Sequence, residues 1–292
     1  MVEIEWIKIP AGNFLTGLSR AQQEYLREQV RDQYNFVSLD LALKRSITKG
    51  AQKIHQGYSG SPESEIASAT LAGRAILKVE NFLRTSPLLE EIWLKEFYIA
   101  KFPVTYQQFR QYLVEGNKIS PFTWQNFAYE SSYPSSHEPV FVSWTDAKAF
   151  CRSLGARLPT VEEWEKAARG TDERLYPWGN EWDLRRGNFT ITDPNIITPV
   201  DRYPSGVSFY GLWDMAGNAY EWTSTPVVDP GLSSPSRYYE LKSCFIQHEK
   251  YYGRGEPSNI PWLYNLIVYS GSAEDSPEGP NFGTGFRPVR DA

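Results

Sequence analysis

The chain has 292 residues, of which 41% are hydrophobic and 22% charged, so it can bury a substantial core without disulfide or metal staples. Its net charge of -5 and its lack of a Lys/Arg block exclude a broad electrostatic footprint for nucleic acid or anionic lipid. The two cysteines are too few for a disulfide framework, and no stretch reaches the roughly 20 apolar residues of a membrane helix.

The first residues, MVEIEWIKIPAG, predict a strand. Trp6, Ile7 and Ile9 alternate with polar residues and are followed by Pro, Gly and Asn, which is typical of a strand that closes in a turn. No basic segment precedes an apolar stretch as it would in a signal peptide. With so few cysteines, this pattern predicts a cytoplasmic location.

Residues 18–86 change character and predict a helical insertion. Ser19, with Gln22 three residues later, begins a first amphipathic stretch. Ser61-Pro62 begins a second stretch, which stops at Ser86-Pro87. The predicted apolar positions are Leu26, Val30 and Tyr34 in the first stretch and Ile76, Leu77, Val79, Phe82 and Leu83 in the second.

From EEIWLKEFYIAKFPVT onward the pattern returns to short strands. Three helices with the same start and stop signals follow. Each helix has a cap hydroxyl three residues before a side chain that can reach back to the cap amide. Each stops at a glycine, which can take the left-handed conformation that ends a helix. Beyond the last helix we expect short strands and structured loops. The cap pairs are Thr105 with Gln108, Ser143 with Asp146 and Thr160 with Glu163, and the glycines are Gly116, Gly155 and Gly170.

Several long motifs occur in one order: FYIAKFPVTYQQF, PVFVSWTDAKAFCRSLGARLPTVEEWEKAARG, YPWGNEW, PVDRYPSGVSFYGLWDMAGNAYEWT and GFRPVR. Together they resemble the formylglycine-generating enzyme family, the sulfatase-modifying-factor domain. The resemblance covers roughly residues 1–17 and 88–292 and implies an α+β, C-type-lectin-like fold with little regular secondary structure. It says nothing about the remainder, so we predict one domain over 1–292 with a helical insertion at 18–86.

The resemblance implies that active members oxidise a substrate cysteine to formylglycine through copper held by two cysteine thiolates. Thiolates suit this chemistry because Cu(I) prefers sulfur. Here the two thiolate positions fall near His248 and Gly253, and moving Cys244 onto the first leaves Glu249 at the second. Cys151 lies on the apolar stripe of a capped helix, where a small buried residue is expected. We therefore predict no copper and no enzymatic activity.

Iron-dependent sulfoxide synthases of the same family carry an extra helical bundle with a histidine motif. The three histidines of this chain, His55, His137 and His248, have no ligand-like spacing, so we expect no iron. A metal-dependent oxidase related to these enzymes is nevertheless the main alternative hypothesis. A third hypothesis is an accessory module in which residues 18–86 mediate assembly.

Calcium is the metal that the resemblance leaves in place. In the family a loop matching DMAGNAYEW binds it through hard oxygen ligands, where it would stabilise loops and perform no chemistry. The alternative is that the acidic side chains accept backbone amide hydrogen bonds in a tight turn. The implied ligands are the side chains of Asp214 and Glu221 with the carbonyls of Gly217 and Ala219, and, at a second site, Asn188, the Phe189 carbonyl, Asp193 and Asn195.

Residues 238–282 are the least family-like part of the chain. They are rich in Tyr and Ser and include Trp262 and three Asn, residue types typical of antibody-type binding loops. A lectin-like domain whose divergence is gathered just before GFRPVR is similar to the variable proteins of diversity-generating retroelements. This similarity implies a non-catalytic face that binds a ligand, for which we expect a protein. The residues predicted to bind are Phe245, His248, Tyr251, Tyr252, Arg254, Asn259, Trp262, Tyr264, Asn265 and Tyr269.

An alternative interpretation of the uncharged run 257–273 is that it contributes a buried hairpin. Its aliphatic residues are the best candidates for burial, and they are Leu263, Leu266, Ile267 and Val268. The sequence leaves the identity of the ligand and the oligomeric state open.

Overall fold

The computed structural model describes residues 2–33, 71–118, 137–189, 197–227, 238–243, 266–267, 271–274 and 283–292. The chain divides into two compact units, one formed by Met1–Thr16 with Glu91–Ala292 and the other by Gly17–Glu90. The smaller unit contains the stretch interpreted above as an insertion. That the whole chain forms a single domain stays a prediction.

The described residues of the smaller unit form two helices, α1 (Arg20–Gln33) and α2 (Leu71–Thr85). The Ser19 hydroxyl accepts the Gln22 N–H at 3.2 Å and the Gln22 side chain accepts the Ser19 N–H at 2.9 Å, so the predicted cap is confirmed. Leu77 is 41% exposed, contrary to the prediction, because it lies on the opposite side of α2 from the buried Val79. Of the other predicted positions, Leu26, Val30 and Leu83 are buried, Ile76 and Phe82 are half-buried, and Tyr34 and Ser61-Pro62 lie outside the described residues.

The described residues of the larger unit form three small sheets. The first and last strands both pair with the same central strand, so the two ends of the unit meet in one antiparallel sheet. The predicted first strand is followed at once by a second, which sequence reasoning had assigned to a turn. The sheets are β1 (Trp6–Ile9), β4 (Phe97–Ala100) and β9 (Val289–Asp291); β2 (Gly12–Thr16) with β3 (Glu90–Leu94); and, in spatial order, β7 (Gly271–Glu274), β6 (Tyr238–Lys242), β5 (Tyr220–Pro226) and β8 (Thr284–Gly285).

The three capped helices of the larger unit form where the sequence predicts them. They are α3 (Tyr106–Glu115), α4 (Trp144–Ser153) and α5 (Val161–Arg169). In each, the cap hydroxyl accepts the backbone N–H of the third following residue, and full capping boxes are present in α3 and α5. In the described parts of the chain, no helix is both long and apolar enough to cross a membrane.

The helix ends follow the glycine prediction only in part. Gly155 and Gly170 have positive φ values of 65° and 79° as expected. Gly116 has a φ of -86°, so the prediction was wrong there, and the left-handed residue is Asn117, with a φ of 47°. Asparagine tolerates this conformation because its short polar side chain can form local hydrogen bonds, so a Gly-Asn pair leaves the end of a helix ambiguous by one residue.

The two largest hydrophobic clusters among the described residues form most of the core of the larger unit. One surrounds α3 and α4 and includes Phe109, Phe150 and Trp222, and the other packs the inner face of the β1–β4–β9 sheet against α5. Cys151 lies in the first cluster and is 0% exposed, which confirms the prediction of a small buried residue. Burial raises the pKa of its thiol because the charged form loses hydration.

Candidate functional site

A buried ion pair joins β5 to the segment that precedes β9. Arg287 and Glu221 are 0% and 1% exposed. The Nη2 and Nε atoms of Arg287 donate to the two carboxylate oxygens of Glu221 at 2.6 and 2.7 Å, in a two-pronged arrangement. The indole N–H of Trp164 donates to the same carboxylate at 2.8 Å. The charge of Glu221 is therefore compensated within the protein.

Arg287 also binds four backbone carbonyl groups, which gives the GFRPVR motif a structural role. Its Nη2 atom donates to the carbonyls of Trp213 at 2.8 Å and Asp214 at 3.5 Å, and its Nη1 atom donates to those of Ala100 and Lys101 at 3.3 Å each. One guanidinium thus connects the end of β4, the loop before β5 and the C-terminal segment. The sequence alone did not predict that Arg287 pairs with Glu221.

Asp214 lies beside this ion pair but is not part of it. Its side chain is buried, and one of its oxygens accepts the Asn218 side-chain N–H at 2.8 Å. Burial raises the pKa of Asp214 to about 7, a shift that the Asn218 hydrogen bond and the charge of Arg287 oppose and the charge of Glu221 reinforces. In the described residues no salt bridge neutralises this carboxylate. A cation would relieve that unfavourable charge.

Asn218 connects Asp214 to two other loops. Its side-chain N–H groups donate to Asp214 and to the Thr198 carbonyl, and its side-chain oxygen accepts the Asn188 amide at 3.1 Å and the Thr198 N–H at 2.9 Å. Its backbone N–H donates to the Asn188 carbonyl at 3.1 Å. Sequence reasoning missed Asn218, although the Gly217-Asn218 pair is a turn signal and Asn218 has a φ of 65°.

The predicted calcium ligands are partly brought together. Asp214, Gly217 and Glu221 lie in one short buried segment, but Glu221 is held by Arg287, and the Gly217 carbonyl accepts the Ala219 N–H at 2.8 Å. Within the described ranges no cluster of three or more Cys, His, Asp or Glu side chains could hold a metal, so a cation here would depend on carbonyl oxygens. Calcium at Asp214 stays a prediction.

The second predicted calcium group is only half described. Asn188 and Phe189 are buried next to each other, and Asn188 is linked to the first group through Asn218. Asp193 and Asn195 lie outside the described residues.

The ten residues predicted to bind a ligand, from Phe245 to Tyr269, all lie outside the described residues, as does Cys244. The structure does show the frame around them. Leu241, Lys242 and Ser243 on the near side are buried, as is every residue from Gly283 to Val289 on the far side. Within the segment, Leu266 and Ile267 are 2% and 1% exposed, as the hairpin interpretation expects for these two aliphatic residues.

Residues 62–292 match the family model described as the Sulfatase-modifying factor enzyme 1-like domain. The chain belongs to this family. The match begins inside the stretch 18–86, which sequence reasoning had placed outside the resemblance. The sulfatase-modifying-factor match otherwise covers the motifs from which the family was inferred.

Two curated relatives of this sulfatase-modifying-factor domain carry different names. The inactive C-alpha-formylglycine-generating enzyme 2 of Bos taurus is 43% identical over 97 residues, which are 30% of this chain and 32% of that protein. The formylglycine-generating enzyme of Streptomyces coelicolor is 35% identical over 183 residues, which are 54% of each chain. The chain therefore spans about a third and about half of these relatives, and family membership alone leaves its activity open.

Solved structures show the fold of the domain. PvdO from Pseudomonas aeruginosa aligns with a TM-score of 0.56 and 17% identity over 99% of this chain and 95% of that chain. CarF aligns with a TM-score of 0.57 and 16% identity over 100% of each chain. The predicted α+β, C-type-lectin-like fold of the formylglycine-generating-enzyme type is confirmed.

Proposed function

We propose that this sulfatase-modifying-factor domain is a non-catalytic protein that binds a ligand, in the manner of the variable proteins of diversity-generating retroelements. The observation that carries the proposal is the position of Cys151. It is 0% exposed within an apolar cluster, and the chain has only one other cysteine, Cys244. A copper site of the kind implied by the resemblance needs two thiolates, and an enclosed thiol with a raised pKa is a poor donor of one.

The frame around residues 244–282 supports the same proposal. The segment leaves from β6 and returns to β8, and both strands pair with β5. Rigid strands therefore hold both of its ends, while its composition supplies the Tyr, Trp, Ser and Asn side chains typical of binding loops. We propose a protein as the ligand, since aromatic anchors of this kind dominate protein interfaces. Nucleic acid and membranes are disfavoured by the net charge of -5.

We further propose that calcium binds near Asp214 and holds the surrounding loops together. Hard carboxylate and carbonyl oxygens are the donors that calcium prefers, and Asp214 lacks a cationic partner in the described part of the chain. We also propose that the protein works in a reducing compartment such as the cytoplasm, because Cys151 is an unbridged thiol.

Metal content tests the absence of redox chemistry. Purified protein, incubated with Cu(I) or Fe(II) and then desalted, should retain far less than one equivalent of either metal. Thiol titration of the folded protein should leave Cys151 unreacted, and titration in denaturant should detect both cysteines. One tightly bound copper or iron per chain would support the alternative, a metal-dependent oxidase, and overturn the proposal.

Stability measurements test whether the predicted binding residues face solvent. Replacing Tyr251 and Tyr264 with serine, singly and together, should change the free energy of unfolding by no more than about 0.5 kcal/mol per substitution, as for surface residues. Ile267→Ala is the matched control, since this residue is 1% exposed, and it should cost about 2–5 kcal/mol. Tyrosine variants that are as unstable as the Ile267 variant would place both tyrosines in the core and refute the binding face.

A further inference from the structure

The outer face of the β1–β4–β9 sheet carries a group of side chains that the proposed function does not use. The register places Tyr98 of β4 opposite Lys8 of β1 and Arg290 of β9. The next positions, Ile99 and Val289, point to the core and are 0% exposed. The alternation of a strand therefore leaves Tyr98 and Arg290 on the solvent side.

Arg290 is held between two aromatic rings on this face. Its guanidinium carbon lies 4.7 Å from the centre of the Trp6 ring and 4.9 Å from the centre of the Tyr98 ring. Both distances fall within the range of cation–π attraction. Arg290 is exposed, and the two rings that it contacts belong to two different strands, β1 and β4.

Arg290 also differs from its neighbours in charge pairing. Three nearby cations each form a salt bridge with a carboxylate at 3.0 Å or less. Acidic residues outnumber basic ones by 35 to 30 in the chain, so carboxylates are not scarce. In the described ranges no carboxylate pairs with Arg290, and neither the Trp6 indole N–H nor the Tyr98 hydroxyl makes a hydrogen bond. The neutralised pairs are Lys8 with Glu96 at 3.0 Å, Lys101 with Glu5 at 2.8 Å and Arg157 with Asp291 at 2.7 Å.

We propose that Trp6, Tyr98 and Arg290 form a docking site for a carboxylate on an acidic peptide segment of a partner protein. The three side chains present hydrogen-bond donors and one unneutralised positive charge, which a carboxylate complements. A guanidinium already held on two rings loses less conformational freedom on binding than a mobile one. The rings favour a peptide over a small anion, because they can contact the apolar part of the acidic side chain and the backbone around it.

Nuclear magnetic resonance titration of the full chain tests the site. The probe is a capped peptide with three glutamates in a Gly/Leu background, and the comparison peptide carries glutamine at the same positions. The Trp6 indole N–H resonance should shift saturably with the glutamate peptide. Affinity should be at least about tenfold lower for the glutamine peptide and for R290Q, the loss expected when a charge-assisted hydrogen bond disappears.

Two further variants test whether Arg290 binds the peptide or only stabilises the sheet. R290K keeps the charge but loses the planar fork, so it should bind more weakly than wild type and more strongly than R290Q. R185Q removes an arginine that is 88% exposed and paired with Asp183, and it should bind like wild type. The melting temperature of each variant shows whether it is folded.

Equal responses to the two peptides, an unchanged affinity in R290Q, or no saturable shift at all would each overturn the proposal. Inorganic phosphate that binds more tightly than the glutamate peptide would also overturn it, because the site would then suit a phosphate-bearing partner.

Discussion

Replacing Arg287 with methionine is expected to lower the free energy of unfolding by about 3–5 kcal/mol, because it leaves a buried carboxylate without its cation. Glu221 is 1% exposed, so water cannot replace the two hydrogen bonds that Arg287 donates to it at 2.6 and 2.7 Å. The substitution also removes the donor to the Trp213 carbonyl at 2.8 Å. Urea unfolding monitored by circular dichroism measures the change.

The control for this prediction is Lys8→Met. Lys8 also binds a carboxylate, that of Glu96 at 3.0 Å, but its side chain is 55% exposed, so its loss should cost far less stability than that of Arg287. If Arg287→Met does not fold, Arg287→Lys supplies the measurement, since lysine keeps the charge and loses the fork. A cost for Arg287→Met as small as that of the control would show that the ion pair contributes little to stability.

Replacing Asp214 with asparagine is expected to stabilise the metal-free protein at pH 8 by a few kcal/mol. The pKa of Asp214 is raised from its ordinary value of 3.8 to about 7 by burial, so its ionised form is disfavoured in the folded chain. Asparagine is nearly the same shape, carries no charge, and keeps an oxygen that can accept the Asn218 N–H. Thermal and urea unfolding in the presence of a chelator measure the gain.

The pH dependence of this effect has a definite sign. Between pH 3.8 and about 7 the folded chain keeps the Asp214 proton that the unfolded chain has lost. The folded state then binds more protons, so the contribution of Asp214 to stability falls as the pH rises through this window. The difference in the free energy of unfolding between wild type and D214N should be small near pH 4 and should reach its full value above pH 7.

Calcium should reverse the ranking of these two proteins. A bound cation compensates the ionised carboxylate, so wild type should gain stability with calcium concentration as expected for a ligand that binds only the folded state. D214N should gain much less. If D214N is more stable than wild type but calcium does not stabilise wild type, the interpretation of Asp214 as an uncompensated carboxylate stands and the calcium proposal is refuted. If D214N is no more stable than wild type at pH 8, both the uncompensated carboxylate and the calcium proposal are refuted.

Local signals account for the parts of the fold that the sequence predicted well. The caps at Thr105, Ser143 and Thr160 and the stripes that follow them involve neighbours three or four residues apart, so the helices could be placed without knowing what they pack against. The burial of Cys151 followed from the same periodicity. The second strand, β2, was missed because its partner, β3, lies more than 70 residues further along the chain.

The sequence predicted most of the residues of the candidate site, but not which of them form ion pairs or hydrogen bonds with each other. The resemblance located Asp214 and Glu221, yet nothing local shows that Glu221 is neutralised by an arginine 66 residues away while its neighbour Asp214 is not. The Asn218 network has the same character, since its partners Asn188 and Thr198 are 30 and 20 residues distant. Sequence spacing says which oxygens are near, whereas the folded chain decides which cation each one meets.

The sequence by itself determined the family, the capped helices and the scarcity of thiols for a copper site, because each depends on residue identity or on contacts within one or two helical turns. Only the tertiary structure decided which charges are compensated inside the protein and which are left for another cation or partner. Electrostatic pairing in the interior depends on distances of a few ångströms between distant segments, and burial magnifies the consequence of every such distance.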